Sequence, residues 1–261
     1  MKRSRRLAIL IIGSTVLIAV ASCHRQKMRN RLDETQFPSV VIWAWERPED
    51  LTFLDSNKYG VAFLAQTLTL KGDEVVFNPR HQPLQVPTSA KVMAVTRIES
   101  QKVTEQRPAL SPKQKQELVK LILRTLERGQ VAAVQVDFDA LVSERQFYRG
   151  LLQELRAQLP DNVPLSMTAL ASFCIGDRWL DDLPVDEAVP MIFRMGADDK
   201  PIKNMLASGQ DFGEPLCRRS YGIAVDEPLE MKFQPQRRVY VFNNRSWTKP
   251  DVDSLHQRIQ P

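Results

Sequence analysis

The sequence predicts an α/β fold, a single (β/α)8 TIM barrel, on three observations. Eight short, almost continuously apolar runs recur along the chain, as strands buried on both faces do. Several of these runs are separated by helical segments with their own caps, the order expected of a parallel sheet. The length of 261 residues suits one such barrel. The rival, a doubly wound open sheet, lacks its GxGxxG or GxxxxGK(S/T) phosphate loop here. No internal repeat or low-complexity tract marks a second domain.

The first strand is "SVVIWAW" (39–45), rich in β-branched and aromatic residues, and the second is "GVAFLAQTLTL" (60–70). Between them "PEDLTFLDS" is expected to form a short helix, and "DEVVFNPRHQPLQVPT" an excursion with a small hairpin. "AKVMAVTRIE" (90–99) is the third strand. Ser111 as N-cap, Pro112 at the first helical position and Gly129 as terminator punctuate the next helix. Its Leu118, Val119, Ile122 and Leu126 form one apolar stripe. "VAAVQVDF" is the fourth strand. Ser143 with Gln146 suggests a capping box, and Phe147, Leu151, Leu155 and Leu159 then run down one helical face to Pro160. Strands five to eight are "VPLSMTALAS" (163–172), "EAVPMIFRM" (187–195), "SYGIAVDEP" (220–228) and "RRVYVFNN" (237–244). "GDRWLDDL", "DDKPIKNMLASG" and "KPDVDSLHQRI" are the remaining expected helices.

Residues 1–22 are expected to be an export signal outside the fold. "MKRSRR" is a positive n-region, and "LAILIIGSTVLIAV" an apolar h-region too short to cross a bilayer comfortably. The segment ends in "VASC", which resembles the lipobox of bacterial lipoproteins. That resemblance implies acylation of Cys23, a membrane attachment through the N-terminal lipid, and a place in the cell envelope facing the periplasm or the outside. A cleaved signal with an incidental cysteine, or an uncleaved anchor, are the alternatives. Residues 23–38 then serve as a tether, and 39–261 as the barrel.

The formal charge of +5 belongs mostly to that leader. Lys2, Arg3, Arg5 and Arg6 are four of the 36 basic residues, so the remainder carries 32 against 31 acidic ones. Phosphate recognition needs clustered positive charge, so no nucleic-acid partner is expected. Cys174 and Cys217 remain once Cys23 is set aside, an even number for an oxidising compartment, and are expected to pair; two buried free thiols are the alternative. No CxxC occurs and His24, His81 and His256 lack ligand spacing, so neither metal nor cofactor is expected.

Barrel active sites lie at the C-terminal strand ends. The polar and aromatic residues there are Trp43, Trp45 and Glu46 on strand one, and Arg97 and Glu99 on strand three. Strand four supplies Gln135, Asp137 and Asp139, spaced by two and therefore on one side of the strand. Arg194 ends strand six, Asp226 and Glu227 strand seven, and Asn243 and Asn244 strand eight, with Trp247 beyond. Two groups of acids across one mouth, beside tryptophans, suit glycoside hydrolysis. One carboxyl must stay protonated to donate to the leaving oxygen while a second attacks or activates water. Tryptophan faces offer flat apolar surfaces to sugar rings. A structural role for Asp137, bonded to Arg97, Thr168 or Arg194, is the plain alternative.

"AVQVDFDA" resembles the fourth-strand motif DGxDxDxE of chitinase-type glycosidase barrels. Laid along it, Gln135 stands at the middle acid, Asp137 at the last aspartate and Asp139 at the catalytic glutamate; Gln135 and Asp139 are departures. The phrases "VQVDFDA", "ERQFYRGLLQELR", "LSMTALASFC", "LPVDEAVPMIFRMG" and "YGIAVDEP" resemble a bacterial family of uncharacterised TIM-barrel proteins grouped with glycoside hydrolases. That resemblance implies a barrel with a sugar-related role and no specific reaction.

The expectation is an envelope-tethered, glycoside hydrolase-like barrel with a carbohydrate ligand. Asp139 is the general acid, Asp137 its tuner and orienter, and Glu227 or Asp226 the second carboxylate. Trp45, Glu46, Gln135, Arg194, Asn243 and Trp247 are expected around the substrate. The alternative is a non-catalytic glycan-binding or assembly lipoprotein on a degenerate scaffold, which the glutamine at 135 favours. Protein partners are not indicated.

Overall fold

The structure, a computed structural model, describes residues 30–228 and 230–259. The expected export signal, Cys23 and the first part of the tether lie outside these residues. Among the described residues, no helix is long and apolar enough to cross a membrane.

Eight parallel strands form the barrel: β1 (Val40–Ala44), β2 (Tyr59–Lys71), β3 (Val92–Ser100) and β4 (Val131–Phe138). They are followed by β5 (Leu165–Leu170), β6 (Glu187–Met191), β7 (Ser220–Ala224) and β8 (Arg238–Phe242). The sheet closes because β1 pairs with both β2 and β8, Val40 lying beside Tyr59 on one side and Val239 on the other. Alternation along each strand then separates two cores. Val41, Trp43, Met93, Val95, Ala133, Val189, Tyr240 and Phe242 fill the lumen. Ile42, Ala94, Val134, Val136, Met167, Tyr221 and Val241 face the outer layer. Both sides being apolar, the strands read in sequence as continuous runs.

Helices α1 (Pro112–Leu123), α2 (Arg145–Gln158), α3 (Asp199–Ala207) and α4 (Lys249–Arg258) supply that outer layer where they occur. Ser111 caps α1 through a reciprocal box with Gln114, and Gln114 also donates to the carbonyls of Gly72 and Glu74. The last turn tightens into a 3-10 helix, Arg124–Glu127, before Gly129 turns at φ 73°. The expected hairpin is present, with Glu74–Pro79 antiparallel to the outer half of β2.

Three local expectations fail for identifiable reasons. Residues 48–56 form no helix, because Glu49–Asp50 pairs in parallel with Leu84–Gln85. Ser143 does not cap α2; a 3-10 turn, Val142–Glu144, leads into it, and the buried Glu144 carboxylate reaches back to the Leu141 N–H at 2.7 Å. "GDRWLDDL" is a run of turns, with Arg178 and Asp182 at positive φ. Arg149 donates to the carbonyls of Trp179 and Asp181, satisfying backbone acceptors that a helix would have used internally.

Residues 30–38, expected as the end of the tether, are built into the base of the barrel. A helical turn, Arg31–Glu34, buries Leu32, and Phe37 lies so close to Gly60 that a Cβ there would sit 2.7 Å from its ring. Arg31 holds Asp186, whose other oxygen accepts from the Leu165 N–H.

Cys174 and Cys217 are joined by a disulfide with Cα atoms 5.9 Å apart, linking the turn after β5 to the turn before β7 across 43 residues. Fixing a loop of that length stabilises by about 4 kcal/mol in the chain-entropy account. Cys174→Ala/Cys217→Ala should therefore lower the urea midpoint markedly; an unchanged midpoint would show that the native loops need no tie.

Candidate functional site

Asp137 is the penultimate residue of β4 and lies beside Arg97 of β3 in register. Its Oδ1 accepts from the Thr168 hydroxyl at 2.7 Å. Burial pushes its pKa up to about 6; the Thr168 hydrogen bond opposes that rise, the Asp139 and Glu99 charges add to it, and the Arg97 charge offsets it. Asp139, one pleat further out, reaches solvent at the rim. The surrounding wall still raises its carboxyl above the ordinary range, with Arg97 opposing. Two neighbouring carboxyls, both held toward their protonated forms, therefore stand at the mouth.

They line a cavity of about 340 Å³ in the size range of small-ligand sites. One wall is aromatic. Phe193 and Phe242 stack with centroids 5.5 Å apart and planes 7° from parallel, while Trp43 and Trp45 meet this pair edge-on at 6.3 and 6.0 Å. Arg97 lies 5.5 Å from the Trp45 ring centroid and pairs with Glu99 at 2.9 Å. The Trp43 ring is fixed from below: its indole N–H donates to Gln135 at 3.1 Å, and Gln135 donates to Ser166 at 3.0 Å. Ser166 in turn donates to the buried Glu187, which also accepts from Tyr240 and pairs with Arg238 at 3.1 Å.

Arg194 closes the opposite rim, with its guanidinium 5.1 Å from the Phe242 ring. Its backbone is left-handed, φ 53°, a conformation costing a side-chain-bearing residue on the order of 1 kcal/mol. Glu227 holds that turn by accepting the Arg194 N–H at 3.0 Å, and Asp226 accepts from the Arg194 guanidinium at 3.2 Å. Lys203 ties Glu227 to Asp199, and Asn244 donates to Asp226.

Of the residues expected at the mouth, Trp43, Trp45, Arg97, Asp137, Asp139 and Arg194 line this cavity. Glu227 and Asp226 do not; their oxygens are taken by Arg194, Lys203 and Asn244, which suits anchors rather than a catalytic pair with Asp139. Gln135 is buried beneath the floor, and Glu46 is exposed outside the lining. Asn243 is buried and accepts the Arg245 N–H. Trp247 packs outside the lumen, its indole donating to the Trp43 carbonyl at 2.9 Å and its backbone N–H to Glu49 at 3.0 Å. The lining adds Phe193, Phe242, Thr168 and Asp198. Alternation from Tyr240 places Phe242 toward the lumen, but an apolar residue ending an apolar run gives no other signal. Among the described residues, no group of three or more His, Cys, Asp or Glu side chains could hold a metal ion.

The anchoring role of Glu227 has a direct check. Glu227→Gln should weaken the binding of a ligand in this cavity several-fold by loosening the Arg194 turn, which titration calorimetry reads directly. An unchanged affinity would show that the Arg194 turn stands without this carboxylate.

No family model matches the chain. No curated protein matches it either. Among solved structures, the chitinase domain of the spore coat protein CotE from Clostridium difficile is similar at 12% identity and a TM-score of 0.40. The match covers 86% of this chain, which spans 62% of the length of that domain.

Proposed function

We propose that the cavity binds a glycan and that Asp139, with Asp137 beside it and Asp198 as the second carboxylate, cleaves it by acid–base chemistry, in a protein held at the cell envelope by its N-terminal segment. The supporting observation is two carboxyls with raised pKa values beside an aromatic wall in one open cavity. Trp43 and Trp45 offer faces or edges to sugar C–H groups, and Arg194 and Arg97 hold hydroxyl or acidic substituents.

In this reading Asp139 carries the donated proton, its carboxyl held toward the protonated form by the surrounding wall. Asp137, itself protonated up to about pH 6, keeps a second negative charge from its side. Asp139, at the rim, presents a proton to the glycosidic oxygen as the C–O bond breaks. A water adds to the anomeric carbon and gives its proton to the second carboxylate. Asp198 fills that place, being the other acid that lines the cavity. The donor Asp139 must be protonated to work, so kcat/KM falls as rising pH ionises its carboxyl, at a midpoint above the ordinary aspartate range. A reducing-end assay over a glycan panel between pH 4 and 8 checks this; a rate that climbs steadily to pH 8 would exclude a carboxylic acid donor.

Gln135 supports a second reading, binding without turnover. It is neutral where the resembling motif carries an acid, and it is engaged with Trp43 and Ser166. Glycans retained on an array but released intact in the reducing-end assay would establish that reading and remove the enzymatic one.

A further inference from the structure

A second cavity, about 800 Å³, opens against the first, and the two share Arg97, Asp137 and Asp139. The carboxyl pair thus stands at the junction of two compartments, where the bond between two successive units of a chain would lie. The second compartment differs in chemistry. The segment after β3 brings Lys102 and Arg107 to it, both exposed and without an ion pair among the described residues. Leu110 and Leu141 add apolar surface, Leu141 being 65% exposed.

The acids on that side are largely spent. Glu99 pairs with Arg97 at 2.9 Å, and the buried Glu144 accepts the Leu141 N–H. Asp137 accepts from Thr168, which leaves Asp139 at the junction itself. The cations are carried on a fixed segment. Gly72 donates its N–H to the Gln106 carbonyl, Ala109 donates to the Gly72 carbonyl, and Gln101 donates to the Leu70 carbonyl. Two unpaired cations on a hydrogen-bonded segment are suited to one kind of neighbour, an anion on the ligand.

We infer that the ligand is an extended acidic glycan crossing both compartments, with a sugar carboxylate held by Lys102 and Arg107 and the neighbouring unit on the aromatic wall. This rests on the glycan reading of the first cavity and adds its substrate class. A uronate and a sugar bearing a carboxylate on an ether arm share this chemistry.

Titration calorimetry of the full chain tests it. The probes are an oligogalacturonate hexamer, a hyaluronan hexasaccharide and an N-acetylglucosamine–N-acetylmuramic acid tetrasaccharide, each as the free acid and as its methyl ester. At least one free acid should bind about tenfold more tightly than its ester, and the identity of that probe separates the two carboxylate sources. The preference should shrink in 0.3 M salt, where screening is strong. Lys102→Ala/Arg107→Ala, at exposed positions, should abolish the preference while leaving the affinity for the ester unchanged. Equal affinities for acid and ester, or a preference surviving in the double variant, would overturn the inference and leave glycan cleavage standing. If no oligosaccharide binds in either form, both readings fall.

Discussion

Asp139→Asn should, on the proposed acid–base reading, lose glycan cleavage by two to four orders of magnitude, the usual contribution of a positioned general acid. Its fold should be intact. Asp139 lies at the solvent-reachable rim, and its charge is already disfavoured by the surrounding wall. Replacing it with a neutral amide of the same shape therefore removes only a solvent-screened attraction to Arg97 and relieves like-charge crowding of Asp137. Reducing-end kinetics beside a urea melt separate the two effects. A variant with full activity would show that Asp139 donates no proton. Unfolding alongside lost activity would show that it is a structural carboxylate.

The second large effect lies at the opposite end of the lumen. Arg238 Nη1 and Glu187 Oε2 are 3.1 Å apart, with both side chains almost wholly buried. Arg238 also donates to the Pro38 carbonyl and to Asp33, tying the N-terminal turn to the barrel base. Arg238→Met removes the cation and strands the Glu187 charge, which should cost about 3–5 kcal/mol. Removing both charges in Arg238→Met/Glu187→Leu should recover much of that loss, because the desolvation penalty disappears with the pair. The effect should also reach the mouth. Glu187 accepts from Ser166, Ser166 from Gln135, and Gln135 from the Trp43 indole, so the double variant should broaden or shift Trp fluorescence even where stability returns. A single variant within 1 kcal/mol of the parent would mean that the ion pair is replaced by solvent.

The barrel was legible because its strands are buried on both faces, and the β4 acids because their spacing of two fixes a common side. Asp137 and Asp139 consequently fall in one cavity, as the pleat requires. Glu227 and Asp226 misled because "SYGIAVDEP" looks like one unbroken run. The strand stops at Ala224, and Glu227 lies in the turn beyond, its N–H donating back to the Ala224 carbonyl. Trp247 misled similarly: the chain after β8 folds down outside the sheet, so the indole meets the backbone of β1 and not the lumen. Gln135 faces inward as expected, but one layer too deep to line the cavity. Phe193 and Phe242 were hidden by their chemistry, since an aromatic residue near the end of an apolar run looks the same whether it meets a neighbour or a ligand. The 48–56 segment could not be assigned from local pattern, because its partner strand, Leu84–Gln85, lies more than thirty residues away.

The carboxyl carbons at the mouth can be titrated directly by NMR, with Asp137→Asn and Asp139→Asn assigning the signals. The expected result is a carboxyl midpoint near pH 6 that disappears in Asp137→Asn, alongside an Asp139 midpoint above the ordinary aspartate range. Should both signals titrate near pH 4, as free aspartates do, neither group would be held protonated at the mouth, and the acid–base account of this cavity would be wrong.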